Sequence, residues 1–283
     1  MIPAGFDYVA PNSVEEALGA LADAGEDAKI LAGGQSLLPM LRLRLAAPSV
    51  VVDLGRIGEL RGVREDGDAV VIGAMTTHHE VLGDTLVHEH ERLLAAATET
   101  VADPQVRHRG TLGGSLAHAD PAGDLLAVAL ALGAEFVIVG PSGRRTVPAP
   151  EFFVDYFTTA VGDGEILLEV RLPKYTGWGA HYEKFNRVSQ AWSIVAVAAA
   201  VRVADGAVVD ARVGLTNMAS VPVRATGVER ALIGGPATPE AIRAAARHAG
   251  EGTSPTADGN ADVEYRTQLA EVLTSRAVGA AAG

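Results

Sequence analysis

The sequence predicts an α+β protein: a two-part N-terminal domain, 1–176, made of small α/β units at about 1–58 and 59–176, and a C-terminal domain, 177–283, with a small antiparallel sheet and helices. Three observations carry this. The short apolar run Lys29-Ile30-Leu31, a glycine turn and a short helix lead to the strand Val50–Leu54 in fewer than ~30 residues, a compact β-α-β unit. A second unit opens on the continuous apolar strand Ala69–Gly73 and runs through helices to further strands. Past the turn-rich Pro173–Gly179, strands come in a row and helices follow, the order of an α+β domain.

Element by element, Ser13 and Glu16 form a capping box ahead of Val14, Ala17, Leu18 and Leu21 at helical spacing, and Gly25 closes that helix. In Ala32-Gly33-Gly34-Gln35-Ser36, paired glycines allow a tight turn, with Ser36 as N-cap and Pro39 tolerated in the first helical turn. Thr77-His78-His79-Glu80 is another capping box, and Glu91–Val101 sets Leu94, Ala97, Thr98 and Val101 on one helical face. Asp103–Gly110 reads as a polar loop before a second glycine turn, Thr111-Leu112-Gly113-Gly114-Ser115. Asp120 before Pro121 reads as an N-cap, with a helix over Leu125–Leu132. Strands are expected at Glu135–Val139, Arg144–Val147 and Glu165–Leu172, with a tight turn at Gly140–Gly143. In the C-terminal part the strands are His181–Phe185, Ile194–Val203 and Val208–Leu215, the last two joined at a hairpin signal, Asp205-Gly206. Helices follow at Val223–Leu232, Pro239–Ala249 and Val263–Ala277, and the small-residue tail Ala277–Gly283 is expected to fray.

Composition narrows the function. A chain of 283 residues suits about two domains and a sizeable core. The net charge of -12 argues against non-specific nucleic-acid binding and against an anionic membrane surface. No apolar run approaches the ~20 residues of a membrane span, and the start lacks the basic and apolar regions of a signal peptide; the expected location is cytoplasmic. With no cysteine, the chain holds no disulfide, thiolate nucleophile or cysteine-ligated cluster. Redox chemistry here requires an organic cofactor or a centre in a partner.

Free amides at a glycine turn are a ready anion site, for which a plain tight turn is the bland alternative. Two turns of the same kind suggest two backbone cradles closing on one long, charged ligand. Ser36 and Ser115 sit in no Gly-x-Ser-x-Gly elbow and are not read as nucleophiles. His78 and His79 read as cap-region residues rather than metal ligands. His108 and His118 flank the second turn and suit either a cofactor contact or an ordinary loop role. Arg42 and Arg44, beside Leu41, Leu43 and Leu45, are either a partner-facing edge or a solvated face.

The stretches Ala32–Pro39 and Gln105–Pro121 resemble the flavin-binding medium subunit of molybdenum hydroxylases, the carbon monoxide dehydrogenase and xanthine dehydrogenase family. Phe6-Asp7-Tyr8, Ile72–Thr77 and Glu264-Tyr265-Arg266 fit the same pattern, so the resemblance covers nearly the whole chain. It implies FAD held between a vanillyl-alcohol-oxidase-like N-terminal domain and the C-terminal domain. Carried over by position, Ala32, Gly33, Gly34, Gln35, Ser36 and Leu37 hold the diphosphate. Thr111, Gly113, Gly114 and Ser115, with Thr77 nearby, hold more of the diphosphate and ribityl region. Asp124 matches a ribityl- or ribose-binding aspartate, Lys184 a lysine near the isoalloxazine ring, and Leu167 a residue packed against the flavin. No catalytic residue and no metal ligand is implied.

The function so implied is FAD-dependent electron transfer within an oxidoreductase complex. Partners would be a large molybdenum-cofactor subunit, a small [2Fe-2S] subunit and an external acceptor such as NAD, oxygen or a quinone. The alternatives are a self-sufficient flavin oxidoreductase on the same fold and a non-catalytic assembly module without flavin. One departure is the loop Asn186–Ser193, where many relatives carry an acidic turn; Trp192 in it suits either stacking near the ring or buried packing.

Overall fold

The computed structural model describes residues 2–283, which form three main sheets separated by layers of helices. The first sheet is parallel, with Val50–Asp53 between Asp7–Val9 and Ala28–Leu31. The helix Val14–Ala24 packs Ala17 and Leu21 into its core. The Ser13 side chain accepts from the Glu16 amide at 3.1 Å, while the Glu16 carboxylate accepts from Asn12 rather than Ser13.

The second sheet has five antiparallel strands in the spatial order Val63–Asp66, Ala69–Gly73, Ile166–Pro173, Glu135–Gly140, Gly143–Pro148. Its central strand carries a register shift between Leu167 and Glu169, and the Leu168 carbonyl turns to accept from Ala74 at 2.8 Å. Leu168 faces the first sheet's core, with Met75 and Ile166. Leu167 faces the opposite core, which the helices between residues 78 and 131 cover.

The third sheet is antiparallel, in the order Gly179–Phe185, Val195–Ala204, Ala207–Thr216, Val223–Arg224. Its second strand shows why it is buried on both faces. Val195, Val197, Ala199 and Val201 enter the core under the C-terminal helices, and Ala196, Ala198 and Ala200 enter the core shared with the N-terminal helices. Alanine on that second face lets helices approach closely. At Gly214 the approach is closest, since a Cβ there would overlap the Ala127 carbonyl.

The structure corrects several expectations. Val223–Leu232 is not one helix: Val223–Arg224 pairs with the preceding strand and the helix begins at Thr226. The tail does not fray, because the last helix runs Val263–Ala282 and buries Ala277, Val278 and Ala281. The polar loop contains a short helix, Pro104–Arg107, capped by Asp103. Ser36 stands at an N-cap position without a side-chain cap bond, its backbone being already helical (φ -102°, ψ -47°) rather than extended as a capping residue's is. Asp120 caps a turn by accepting from Ala122 at 3.0 Å, and Gly123 is the helix N-cap. No helix among the described residues is long and apolar enough to cross a membrane.

Candidate functional site

Residues about eighty positions apart in sequence meet where the two glycine turns pack together. A Cβ on Gly33 would overlap the Arg109 carbonyl oxygen and lie 2.6 Å from Gly110 Cα. A Cβ on Gly114 would lie 2.7 Å from Thr111 Oγ1 and 3.1 Å from Ala32 Cβ. Gly113 leaves the same kind of room for Ala74, whose carbonyl accepts its amide at 2.9 Å. The segment Ile72–Thr77 completes the junction: the Thr76 carbonyl accepts from Leu112 at 3.0 Å, Gly110 accepts from His78 at 2.9 Å, and Thr77 bridges Thr111. Glycine is required here for close backbone approach.

The two turns are not chemically equivalent. The amides of Gly33, Gly34, Gln35 and Ser36 donate to no described residue, and Gly34 sits at φ 75°. Gln35 folds its side-chain amide back to the Gly33 carbonyl at 3.0 Å. The result is a run of unspent N–H donors, the arrangement that binds anionic oxygens. In the second turn the amides of Leu112, Gly113, Gly114 and Ser115 are engaged within the chain, Gly114 by the Thr111 hydroxyl at 3.1 Å. Its glycines serve packing, so the expectation of two matching amide cradles is corrected to one cradle and one wall.

A second cluster lies at the start of the helix Asp124–Ala131. Asp124 is buried, and three side chains donate to it: Tyr182 and Ser193 to Oδ1 at 2.8 and 2.7 Å, and Lys184 to Oδ2 at 2.7 Å. Lys184 Nζ also donates to the Thr100 carbonyl at 3.1 Å, and its side chain is 7% exposed. Removing one partner of such a buried pair typically costs about 3–5 kcal/mol, because the other charge is stranded. Burial, with the Asp124 charge next, pushes the Tyr182 hydroxyl well above its ordinary value, so it remains a donor. Asp124 and Lys184 thus reach any ligand as a bonded pair.

Leu37 opens the helix Leu37–Leu43 and is half-buried. Thr77 caps His78–Gly83 with a complete capping box to Glu80. Leu167 is buried in the core that holds Leu112 and Leu116. Trp192 is 56% exposed, which removes the buried-packing alternative. His108 lies against His79 with ring centroids 3.8 Å apart and planes tilted by 37°, and His118 lies against Phe157. Arg42, Arg44, Leu43 and Leu45 are all exposed.

Sequence reasoning missed Tyr182 and Ser193. The signal for Tyr182 was present, since two-residue spacing in a strand puts it on the Lys184 face. His78 is buried as well as part of the cap motif. Its ring lies against Gly110 with Nδ1 unpartnered among the described residues, and burial, with the Arg107 charge, pushes it down to about 4.

The family described as the FAD binding domain in molybdopterin dehydrogenase matches residues 4–175, and the CO dehydrogenase flavoprotein C-terminal domain matches residues 180–281. The chain is similar to the carbon monoxide dehydrogenase medium chain of Hydrogenophaga pseudoflava, at 44% identity over 99% of this chain and 98% of that one. It is similar at 37% identity, over 98% and 94% of the two chains, to the 6-hydroxypseudooxynicotine dehydrogenase complex subunit alpha of Paenarthrobacter nicotinovorans. Its structure superposes on carbon monoxide dehydrogenase from Hydrogenophaga pseudoflava with a TM-score of 0.96, at 45% identity over 99% of this chain and 98% of that chain.

Proposed function

The chain belongs to the family of FAD-binding medium subunits of molybdopterin dehydrogenases, and from that premise we propose that it is the electron-relaying flavin subunit of a hydroxylase complex. It is an oxidoreductase subunit and its cofactor is FAD. The observation that carries the reading is the junction of the two glycine turns. Four consecutive amides donate to no described residue in a protein of net charge -12, where backbone dipoles rather than free lysines must meet a diphosphate.

The residues present fit the cofactor. Gly33 and Gly114 let the two turns pack directly against each other, which fixes the first turn's amides in place. Ala32, Gly33, Gly34, Gln35, Ser36 and Leu37 would hold the diphosphate, and Thr111, Gly113, Gly114 and Ser115 with Thr77 would wall the adjoining stretch. Asp124 would face the ribityl or ribose hydroxyls, Lys184 the ring, and Leu167 would support it from the core. FAD supplies reversible two-electron chemistry when bound; the chain supplies position, exclusion of water and field. In the same reading, residues 1–176 carry the cofactor, as units 1–58 and 59–176, and 177–283 close over it.

The chain would take electrons from a small [2Fe-2S] subunit, itself fed by a large molybdenum-cofactor subunit, and pass them to NAD, oxygen or a quinone. The absence of cysteine supports placing the clusters in another chain. The similarities do not favour a self-sufficient oxidoreductase or a flavin-free module. The test is anaerobic mixing of the FAD-loaded chain with its iron–sulfur partner, the partner first reduced by dithionite and desalted. Bleaching of the flavin bands on mixing supports the relay. A flavin that stays oxidised beside a reduced, bound partner contradicts it.

A further inference from the structure

Lys184 is tied to Asp124 at 2.7 Å with both side chains nearly fully buried, so what faces a neighbouring group is a compensated pair rather than a bare cation. What keeps the pair closed is on the other side of the carboxylate. Asp124 Oδ1 receives the hydroxyls of Tyr182 and Ser193 at 2.8 and 2.7 Å, which fixes the rotamer that turns Oδ2 to the ammonium. Tyr182 is fully enclosed on the central face of the third sheet, with Thr216 Oγ1 3.5 Å from its hydroxyl. Ser193 comes from the end of the 186–193 loop, and that end is braced. Asn217 Nδ2 donates to the Ser193 and Ile194 carbonyls at 2.8 and 3.2 Å. Buried Arg266 donates to the Ile194 carbonyl and pairs with Asp258 at 2.7 Å. An exposed loop whose last residue and its successor are held at both carbonyls, with the Ser193 hydroxyl on a buried carboxylate, is built to deliver that hydroxyl.

We propose that Ser193 and Tyr182 are positioning residues that latch Asp124 onto Lys184, and that the closed latch masks the lysine's charge from the flavin. The inference rests on Lys184 lying beside the flavin ring, as proposed above, and adds to it the sign and source of the field there. With the latch closed, the ring meets a dipole. With the latch open, it meets a cation, which stabilises the reduced, more negative flavin and raises the midpoint potential.

Two measurements on the full chain test this with Ser193→Ala, Tyr182→Phe and Asp124→Asn. Tyr182→Phe removes a hydroxyl and keeps the ring, so it preserves packing. The first readout needs no flavin: the rate at which Lys184 is labelled by an amine-reactive reagent in the FAD-free chain, read by peptide mass mapping. Ser193→Ala and Tyr182→Phe should each speed labelling roughly tenfold, the equivalent of one charge-assisted hydrogen bond. The second is the flavin midpoint potential of the FAD-loaded chain, which a purely structural role would not move. Asp124→Asn should raise it, and the two hydroxyl deletions should shift it in the same direction by less. Labelling unchanged in both hydroxyl variants overturns the latch. Faster labelling with a potential that none of the three variants moves overturns the placement of Lys184 at the flavin, and with it the masking role. Faster labelling with a potential that Asp124→Asn moves and the hydroxyl deletions do not overturns the positioning role alone.

Discussion

Glu91 is fully enclosed at the start of the helix Arg92–Glu99, and neither carboxylate oxygen meets a partner among the described residues. Burial pushes its carboxyl up from 4.5 to about 9. Below about pH 4.5 the group is neutral in both folded and unfolded chains. From there to about pH 9 the unfolded chain ionises and the folded one does not, so stability falls as pH rises, by several kcal/mol in all. Glu91→Gln should therefore raise the melting temperature by several degrees at pH 8 and by much less at pH 5; equal shifts at both pH values would refute the assignment. His78 works in the other sense. Its imidazole is pushed down from 6.5 to about 4, so the stability it contributes is complete above pH 6.5 and is lost as pH falls through about 4. Neither behaviour was legible in the sequence, because a histidine in a cap motif and a glutamate ahead of a helix look solvated until packing encloses them.

At the scale of elements, long periodic segments were legible and short polar ones were not. The capped helices after Ser13 and Thr77 and the Asp205-Gly206 hairpin follow from local chemistry, and the structure has them. Asp7–Val9 is exposed throughout and Val63–Asp66 nearly so, so neither carries an alternating pattern; only pairing with a neighbour makes them strands. The C-terminal tail misled for the opposite reason. Its alanines and glycines look featureless, yet small residues let the last helix pack tightly, to the point that a Cβ on Gly179 would overlap the Ala281 carbonyl. Ending the chain at Arg276 should cost about 3 kcal/mol through lost burial of Ala277, Val278 and Ala281, read as a lower urea midpoint; an unchanged midpoint would show the tail to be dispensable. The site divides in the same way. Its glycine turns announce themselves locally, whereas Asp124, Tyr182, Lys184 and Ser193 are joined across 58 to 69 residues by a sheet packed on a helix, which no local pattern reveals.

For the molecule as a whole, the proposed cofactor site depends on how closely two halves pack. Ala196, Ala198 and Ala200 present a smooth face to the N-terminal helices, and that contact brings Tyr182 and Lys184 to Asp124. Ala198→Leu should overpack the seam at about 1–3 kcal/mol and weaken FAD binding in parallel, measured by denaturation and FAD titration of one preparation. Loss of stability with undiminished FAD affinity would separate the seam from the site. The central claim, however, is that the packed glycine turns hold the flavin, and the most direct measurement is the visible spectrum and acid-released chromophore of the purified chain beside Gly33→Val. The wild type should carry flavin bands and release FAD. The variant, which drives a branched side chain into the Arg109 carbonyl, should keep its far-ultraviolet dichroism and lose the flavin. A Gly33→Val chain as fully loaded as the wild type would contradict the account.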